Sequence, residues 1–399
     1  MTETELREQL RAARVPVRPG VEERVWQVVS RAYHPPAEAD RPRARRRVLV
    51  PALAAVIAVA AVALGAGSAP REALARWFRD TFGLTAQPRP RPVLAGLPSG
   101  GRLLVNSPSG PWIVGADGAR THLGAFAGAA WSPHSRYVVA WRGDRLVALD
   151  RHGQRQWTLG TDGLVSAARW SPDGYRIAYL AGGSLDVVAG DGSGNRRLVA
   201  RVQPVAAAWK PHDGTAHRVA LVDRRGDLEL RAADTAALLW RARPVAAPQQ
   251  LLWSRTGQRL VAIAHRTVTV YSARGKRLAA LTLAPGASSG AAALGPGDRL
   301  ALVIQRAAGQ PDSIELFTAS ARGLRRPPGI VFTAAERLAG LAWSPDARWL
   351  LAASPSADQW IFLRMAAPAR ISVVSQIATK FSLGARRAPG FPTLSGWQP

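Results

Sequence analysis

The chain has 399 residues, 47% of them hydrophobic, which is enough for a large core and too much for a disordered protein. It has no cysteine, which excludes disulfides, thiolate zinc sites, iron–sulfur clusters and a cysteine nucleophile, and leaves the redox compartment open. The formal net charge is +26, from 53 basic and 27 acidic residues, and most of the excess falls after residue 98.

Residues 1–34 predict two short helices. Thr2 and Glu5 form a capping-box pattern, and Leu6, Leu10 and Ala13 recur at helical spacing. Pro16, Pro19 and Gly20 break that run. Val21, Val25, Val28 and Val29 then mark a second helix, which Pro35 and Pro36 end. Two such helices are too small to fold alone, so they dock on a partner or dimerise.

Residues 48–67, VLVPALAAVIAVAAVALGAG, contain no charge and as a helix match the thickness of a bilayer core. Arg41, Arg43, Arg45, Arg46 and Arg47 precede them, which predicts a cytoplasmic N-terminal side. The competing reading is a secretory signal cleaved near Gly67-Ser68-Ala69. A signal's charged region spans a few residues, and 47 residues precede this run, so an uncleaved anchor is expected. Residues 70–84 then read as an amphipathic helix, with Leu74, Trp77, Phe78 and Phe82 suited to a membrane interface. Residues 87–92, QPRPRP, form a stiff linker.

From residue 93 the chain repeats with a period near 40 residues. The register mark is Trp-Ser-Pro: Trp131-Ser132-Pro133, Trp170-Ser171-Pro172 and Trp343-Ser344-Pro345. Degenerate copies begin at Trp209, Trp253 and Leu294. Short apolar residues precede each mark, as in AAW, AARW, AAAW and LAW. A turn follows, then an Arg and an apolar run; the six arginines are Arg136, Arg176, Arg218, Arg259, Arg299 and Arg348. Each unit holds about four short strands and cannot bury both faces alone, so the copies must stack in a ring.

The two ends of this region complete one another. Residues 98–106, PSGGRLLVN, have the turn, Arg102 and the apolar strand but lack the marker strand. The last residues, TLSGWQP, supply a marker strand with Trp397-Gln398-Pro399 and nothing after it. Joining them gives one composite unit beside the six marked ones. The fold expected is therefore all-β: a seven-bladed β-propeller over 93–399, closed by a C-terminal strand. It is preceded by a juxtamembrane segment (68–92), one transmembrane helix (48–67) and a short helical segment with a basic flank (1–47).

The WSPDG phrase with its following strand resembles the TolB-like propeller repeats, which are loosely similar to WD-repeat blades. The resemblance covers residues 93–399. It implies the propeller fold, and functions of protein binding or of gating a peptidase. No Trp-Asp dipeptide is present, unlike the strict WD type. Residues 148–157 (ALDRHGQRQW) and 231–240 (RAADTAALLW) also resemble quinoprotein blades. The layout of short cytoplasmic helices, one span and an outer domain resembles membrane anti-sigma factors, without their zinc-binding His and Cys motif.

No catalytic constellation is expected. Gly286-Ala287-Ser288-Ser289-Gly290 matches the spelling of a hydrolase elbow but lies between two strand units, without the strand–turn–helix setting that exposes the serine. His134 and His212 occupy marker turns and read as solvated turn residues. No paired-His metal spacing is present. Asp191-Gly192-Ser193-Gly194-Asn195 lacks the acidic ladder of a calcium loop and reads as a hairpin turn. Neither metal nor cofactor is expected, and the marker tryptophans read as packing between blades.

The binding residues expected are Arg142, Arg224, Arg225, His265, Arg266 and Arg306. They fall in loops between the second and third strands of their units, on the rim opposite the marker turns. A cationic ring of this kind suits an anionic ligand or an acidic protein patch; solvated polar loops are the plain alternative. Aromatic-interleaved basic runs are missing, which argues against nucleic acid. The function expected is a non-enzymatic, membrane-anchored extracytoplasmic propeller binding a protein or an anionic envelope polymer. The alternative is a transmembrane signalling regulator, whose propeller senses outside while residues 1–34 hold a cytoplasmic protein.

Overall fold

The computed structural model describes residues 94–399, apart from 212, 213, 215, 321, 322, 326–329, 367–369 and 385–389. The expected helices of residues 1–34, the apolar run 48–67 and the segment 68–92 lie outside the described residues, as does His212. Among the described residues no helix is long and apolar enough to cross a membrane.

The described chain forms seven antiparallel sheets. Blade 1 is composite: β1 (Arg102–Ser107), β2 (Gly110–Val114) and β3 (Arg120–His122) are joined by β29 (Thr393–Gln398). Blade 2 holds β4 (Gly128–Trp131), β5 (Tyr137–Arg142), β6 (Arg145–Asp150) and β7 (Arg155–Gly160). Blade 3 holds β8 (Val165–Trp170), β9 (Arg176–Ala181), β10 (Ser184–Ala189) and β11 (Arg196–Val199). Blade 4 holds β12 (Ala208–Trp209), β13 (Arg218–Val222), β14 (Leu228–Ala232) and β15 (Leu238–Ala242). Blade 5 holds β16 (Pro248–Trp253), β17 (Arg259–Ala264), β18 (Thr267–Ser272) and β19 (Arg277–Thr282).

Blade 6 holds β20 (Ser288–Gly295), β21 (Arg299–Gln305), β22 (Asp312–Ser320), β23 (Gly323–Arg325) and β24 (Ile330–Ala334). Blade 7 holds β25 (Gly340–Trp343), β26 (Trp349–Ser354), β27 (Gln359–Arg364) and β28 (Ile371–Ser375). A single turn of helix, α1 (Ile377–Lys380), follows blade 7. Blade 6 departs from four strands. β22 runs nine residues, and both β23 and β24 pair along it, one against each end.

The middle strands are nearly continuous apolar runs because both faces of every blade are covered. Successive side chains point to opposite faces. In β1, Leu103 and Val105 enter the core shared with blade 7, while Leu104 enters the core shared with blade 2. Among the described residues there are seven such cores, one for each junction between neighbouring blades, including the junction of blade 7 with blade 1. The outermost strands have only one covered side, and β7 and β15 accordingly carry many exposed residues.

The marker strands touch one another in sequence around the ring: β29, β4, β8, β12, β16, β20, β25 and back to β29. They are therefore the innermost strands, and the ring is closed. Closure is supplied by β29, which pairs with β1 in the register Leu103↔Trp397 and Arg102↔Gln398. Trp397 is buried, and its indole N–H donates to the Gly100 carbonyl at 2.9 Å.

The marker turn has a shared chemistry. In blades 3 and 7 the Ser hydroxyl accepts the backbone N–H five residues on (2.9 Å from Arg176, 2.9 Å from Trp349) and donates to the turn Asp (2.6 Å to Asp173, 2.6 Å to Asp346). Ser132 and Ser254 accept the equivalent N–H in blades 2 and 5, both at 3.0 Å. A left-handed residue turns the chain: Gly174 and Gly257, but also Ser135 and Ala347. Where blade 6 has Leu294 in place of the marker Trp, the next residue is Gly295. The ring of Trp343 lies against it, and a Cβ there would meet the indole at 2.7 Å.

Candidate functional site

Within each blade the first-to-second and third-to-fourth strand turns lie on one face of the ring. The second-to-third turns lie on the other, because the strands are antiparallel throughout. All six residues expected to bind fall on that second rim. Arg142 ends β5, Arg224 and Arg225 lie between β13 and β14, His265 and Arg266 between β17 and β18, and Arg306 between β21 and β22. They come from blades 2, 4, 5 and 6.

The local structure holds these side chains outward. Asp223 is buried, and its Oδ1 accepts the N–H groups of Arg225 (2.8 Å) and Asp227 (2.9 Å). That closes the hairpin and leaves Arg224 and Arg225 exposed at its tip. In blade 2, Gly143 adopts φ +59 in a two-residue turn, which sets Arg142 directly opposite Arg145. Two like charges facing across a strand pair cost stability locally. Among the described residues, Arg142, Arg224, Arg225 and His265 make no side-chain hydrogen bond or ion pair.

Arg266 and Arg306 are tied down. Arg266 Nη2 donates to the Leu283 carbonyl at 3.2 Å. Arg306 is half-buried, with Nη2 4.0 Å from Glu315 Oε1. The free cations of the rim are thus concentrated on blades 2 and 4.

The opposite face has a different character. Two of its arginines pair between blades: Arg176 Nε lies 3.2 Å from Asp234 Oδ1, and Arg259 Nη1 2.5 Å from Asp298 Oδ2. His217 bridges two carboxylates, with Nε2 2.8 Å from Asp173 Oδ2 and Nδ1 3.0 Å from Asp234 Oδ2. Desolvation pushes Asp173 up, but hydrogen bonds from Ser171 and the Tyr175 N–H, together with His217, outweigh it and hold the carboxyl below the usual range. Asp234 is likewise held low: His217 and Arg176 overcome its desolvation. The histidines read as scattered in the sequence, and nothing local marks His217; the cluster arises from packing blade 3 against blade 4.

Three charged networks stabilise blade interiors. Glu229 is buried and pairs with Arg231 (2.7 Å) and Arg241 (2.5 Å). Asp312 is buried, accepts the Leu338 N–H at 2.9 Å and lies 3.3 Å from Arg337. Asp186, held up by burial, accepts from Ser184 at 2.7 Å and meets Arg197 at 3.4 Å.

The elbow-like string places Ser289 in β20, where its buried hydroxyl donates to the Ala264 carbonyl. Asp191 Oδ1 accepts the Ser193 N–H (3.0 Å) and hydroxyl (2.7 Å), which makes a hairpin turn of 191–195. His134 is exposed in its marker turn. Among the described residues no group of His, Asp and Glu could hold a metal ion.

The tryptophans act as joints. Trp209 Nε1 donates to the Arg169 carbonyl at 2.9 Å, Trp253 Nε1 to Ala208 at 3.1 Å and Trp343 Nε1 to Ala293 at 3.1 Å. Each acceptor is the residue just before the preceding blade's marker position. In the two quinoprotein-like stretches, Trp157 and Trp240 donate to Gly190 (2.9 Å) and Ala273 (3.0 Å) of the following blade.

No protein-family model matches the chain, and no curated protein matches it in sequence. Solved structures do. A putative 6-phosphogluconolactonase from Bacteroides uniformis matches with TM-score 0.51 at 14% identity, over 69% of this chain and 97% of that one. Kluyvelomyces marxianus Hsv2 matches with TM-score 0.50 at 11% identity, over 67% and 91%. The β-propeller domain of Myceliophteria thermophila Cps50 (Swd1) gives TM-score 0.49 at 14% identity, over 63% and 86%. The chain folds as a seven-bladed β-propeller. At these identities the likeness is one of fold, and the propeller's activity has to be argued from its own surface.

Proposed function

We propose that this propeller is a non-enzymatic binding module of the TolB-like kind, anchored through residues 48–67 and facing away from the cytoplasm. Its cationic rim binds an anionic patch on a protein or envelope polymer. The observation that carries the reading is the set of exposed arginines on that rim that make no side-chain bond among the described residues. On the marker-turn face Arg176 and Arg259 are held in ion pairs, while Arg136 and Arg274 are exposed. On the opposite rim, Arg142, Arg224 and Arg225 are exposed and unpaired, and Arg142 faces Arg145 across a hairpin. A local rule broken at a surface with no structural return points to use by a partner.

Anchoring and orientation rest on the sequence of residues 41–67. Protease added to intact cells or spheroplasts is expected to digest the propeller and spare an N-terminal tag. Protection of the propeller would overturn the orientation, and a mature chain starting near residue 70 would overturn the anchor. The rim is tested by reversing Arg224, Arg225 and Arg266 to Glu. Binding of the anionic partner should weaken, most at low salt where screening is least, with the fold retained. Binding that ignores both salt and these changes contradicts the electrostatic reading. Deleting residues 1–34 separates this module from a transmembrane regulator, which would lose its output.

A further inference from the structure

The residue just before each marker occupies one layer of the inner wall. The hydrogen bonds from Trp209, Trp253 and Trp343 to the carbonyls of Arg169, Ala208 and Ala293 fix those positions as equivalent. In six blades this residue is small or apolar: Gly396, Ala130, Ala208, Leu252, Ala293 and Ala342. In blade 3 it is Arg169. No other charged residue occurs on β29, β4, β8, β12, β16, β20 or β25. One guanidinium therefore stands in an inner wall otherwise built of uncharged side chains.

Among the described residues Arg169 has no counter-ion. Its one side-chain hydrogen bond among them runs from Nη1 to the Ala168 carbonyl at 2.9 Å. Two mostly enclosed arginines elsewhere are paired: Arg231 with Glu229 and Arg259 with Asp298. The Arg169 side chain is exposed to solvent, yet protein crowds it closely enough for desolvation to lower its pKa from the ordinary Arg value. Both conditions hold for a guanidinium in a water-accessible channel along the ring axis. Placing a cation there without a paired anion costs free energy that an apolar residue at this position, as in the other blades, would not incur.

We propose that Arg169 is an anion-binding residue of the axial channel, taking a single carboxylate or phosphate group that enters along the axis. Guanidinium offers planar, paired N–H donors suited to either oxyanion. The small residues of the same layer leave room for the anion and add no competing charge. The site lies on the inner strand one residue before the marker turn, whereas the cationic rim lies at the other ends of the blades; the two are separate.

The test is thermal unfolding of the full chain with inorganic phosphate and with acetate as probes, ionic strength being held constant with sodium chloride. Three further chains are compared: Arg169→Gln, Arg169→Lys and the rim variant with Arg224, Arg225 and Arg266 changed to Glu. One or both anions should raise the midpoint of the native chain and of the rim variant, and leave that of Arg169→Gln unmoved. The lysine variant should keep a smaller rise. Whichever probe acts identifies the oxyanion. Without added anion, Arg169→Gln should unfold no earlier than the native chain, because an unpaired enclosed cation has gone. An equal rise in Arg169→Gln, or none in the native chain, overturns the proposal. So does a rise lost only in the rim variant, which would place anion binding at the rim. A midpoint lowered in Arg169→Gln with and without anion alike would make Arg169 structural and overturn it as well.

Discussion

His217 shows how much of this surface depends on single residues placed by distant packing. Its imidazole ties Asp173 of the blade 3 marker turn to Asp234 of the blade 4 outer turn, and Arg176 closes the group. Both carboxyls are held below the ordinary Asp value of 3.8. The folded state therefore takes up their protons less readily than the unfolded chain does. Their contribution is full above the ordinary Asp value and is lost as pH falls through the lower folded-state values. Asp234→Asn removes one of the two. The difference in urea midpoint between native chain and variant should shrink as pH is taken from 5 to about 2. A difference that stays constant over that range contradicts the assignment. None of this was legible in the sequence, because the three residues belong to three separate turns. The exposure of Arg224 and Arg225 was legible for the converse reason: they sit in a hairpin tip and its turn chemistry is local. What the string around them does not reveal is that Arg266 and Arg306 are partly spent on Leu283 and Glu315.

At the scale of elements, the repeat phrase specifies a blade because each of its residues has a task. In blades 4, 5 and 7 Trp ties the inner strand to the preceding blade by a hydrogen bond, Ser closes the turn, and the apolar run feeds two cores at once. That regularity made strands and their order readable. The exceptions follow from interactions that no local pattern encodes. The outer edge of blade 6 is shared by β23 and β24 along one long strand, and the single turn α1 follows β28. Phe381, just past α1, is buried against Trp112 (6.0 Å) and Trp360 (5.1 Å), so this turn is shaped by the junction between blades 7 and 1. The outer Trp joints can be tested directly. Gly192 has φ +88, and a Cβ there would meet the Trp157 ring at 2.8 Å. Gly192→Ala is expected to cost about 2 kcal/mol, from the unfavourable backbone region and the displaced indole. Trp157→Phe, which removes the bond to the Gly190 carbonyl, should cost about 1 kcal/mol from that loss. Urea unfolding of the two variants checks the order; an alanine at 192 without effect would mean that the joint is loose.

For the whole molecule, closure is the property on which the rest depends. Seven marker strands meet in an unbroken ring only because β29 takes the inner place in blade 1. Trp397 packs edge-on against Phe362 at 5.9 Å, within the core between blades 7 and 1. Terminal segments of most domains fray and can be removed at little cost. This one would leave a blade without its inner strand and two neighbours with exposed apolar faces. Trp397→Ala alone should cost about 3–5 kcal/mol. The most direct test is urea unfolding of the chain beside the same chain ending at Thr393. The ring account predicts a large loss of stability or failure to fold cooperatively in the shorter chain. Equal unfolding midpoints for the two would show that residues 394–399 do not close the ring.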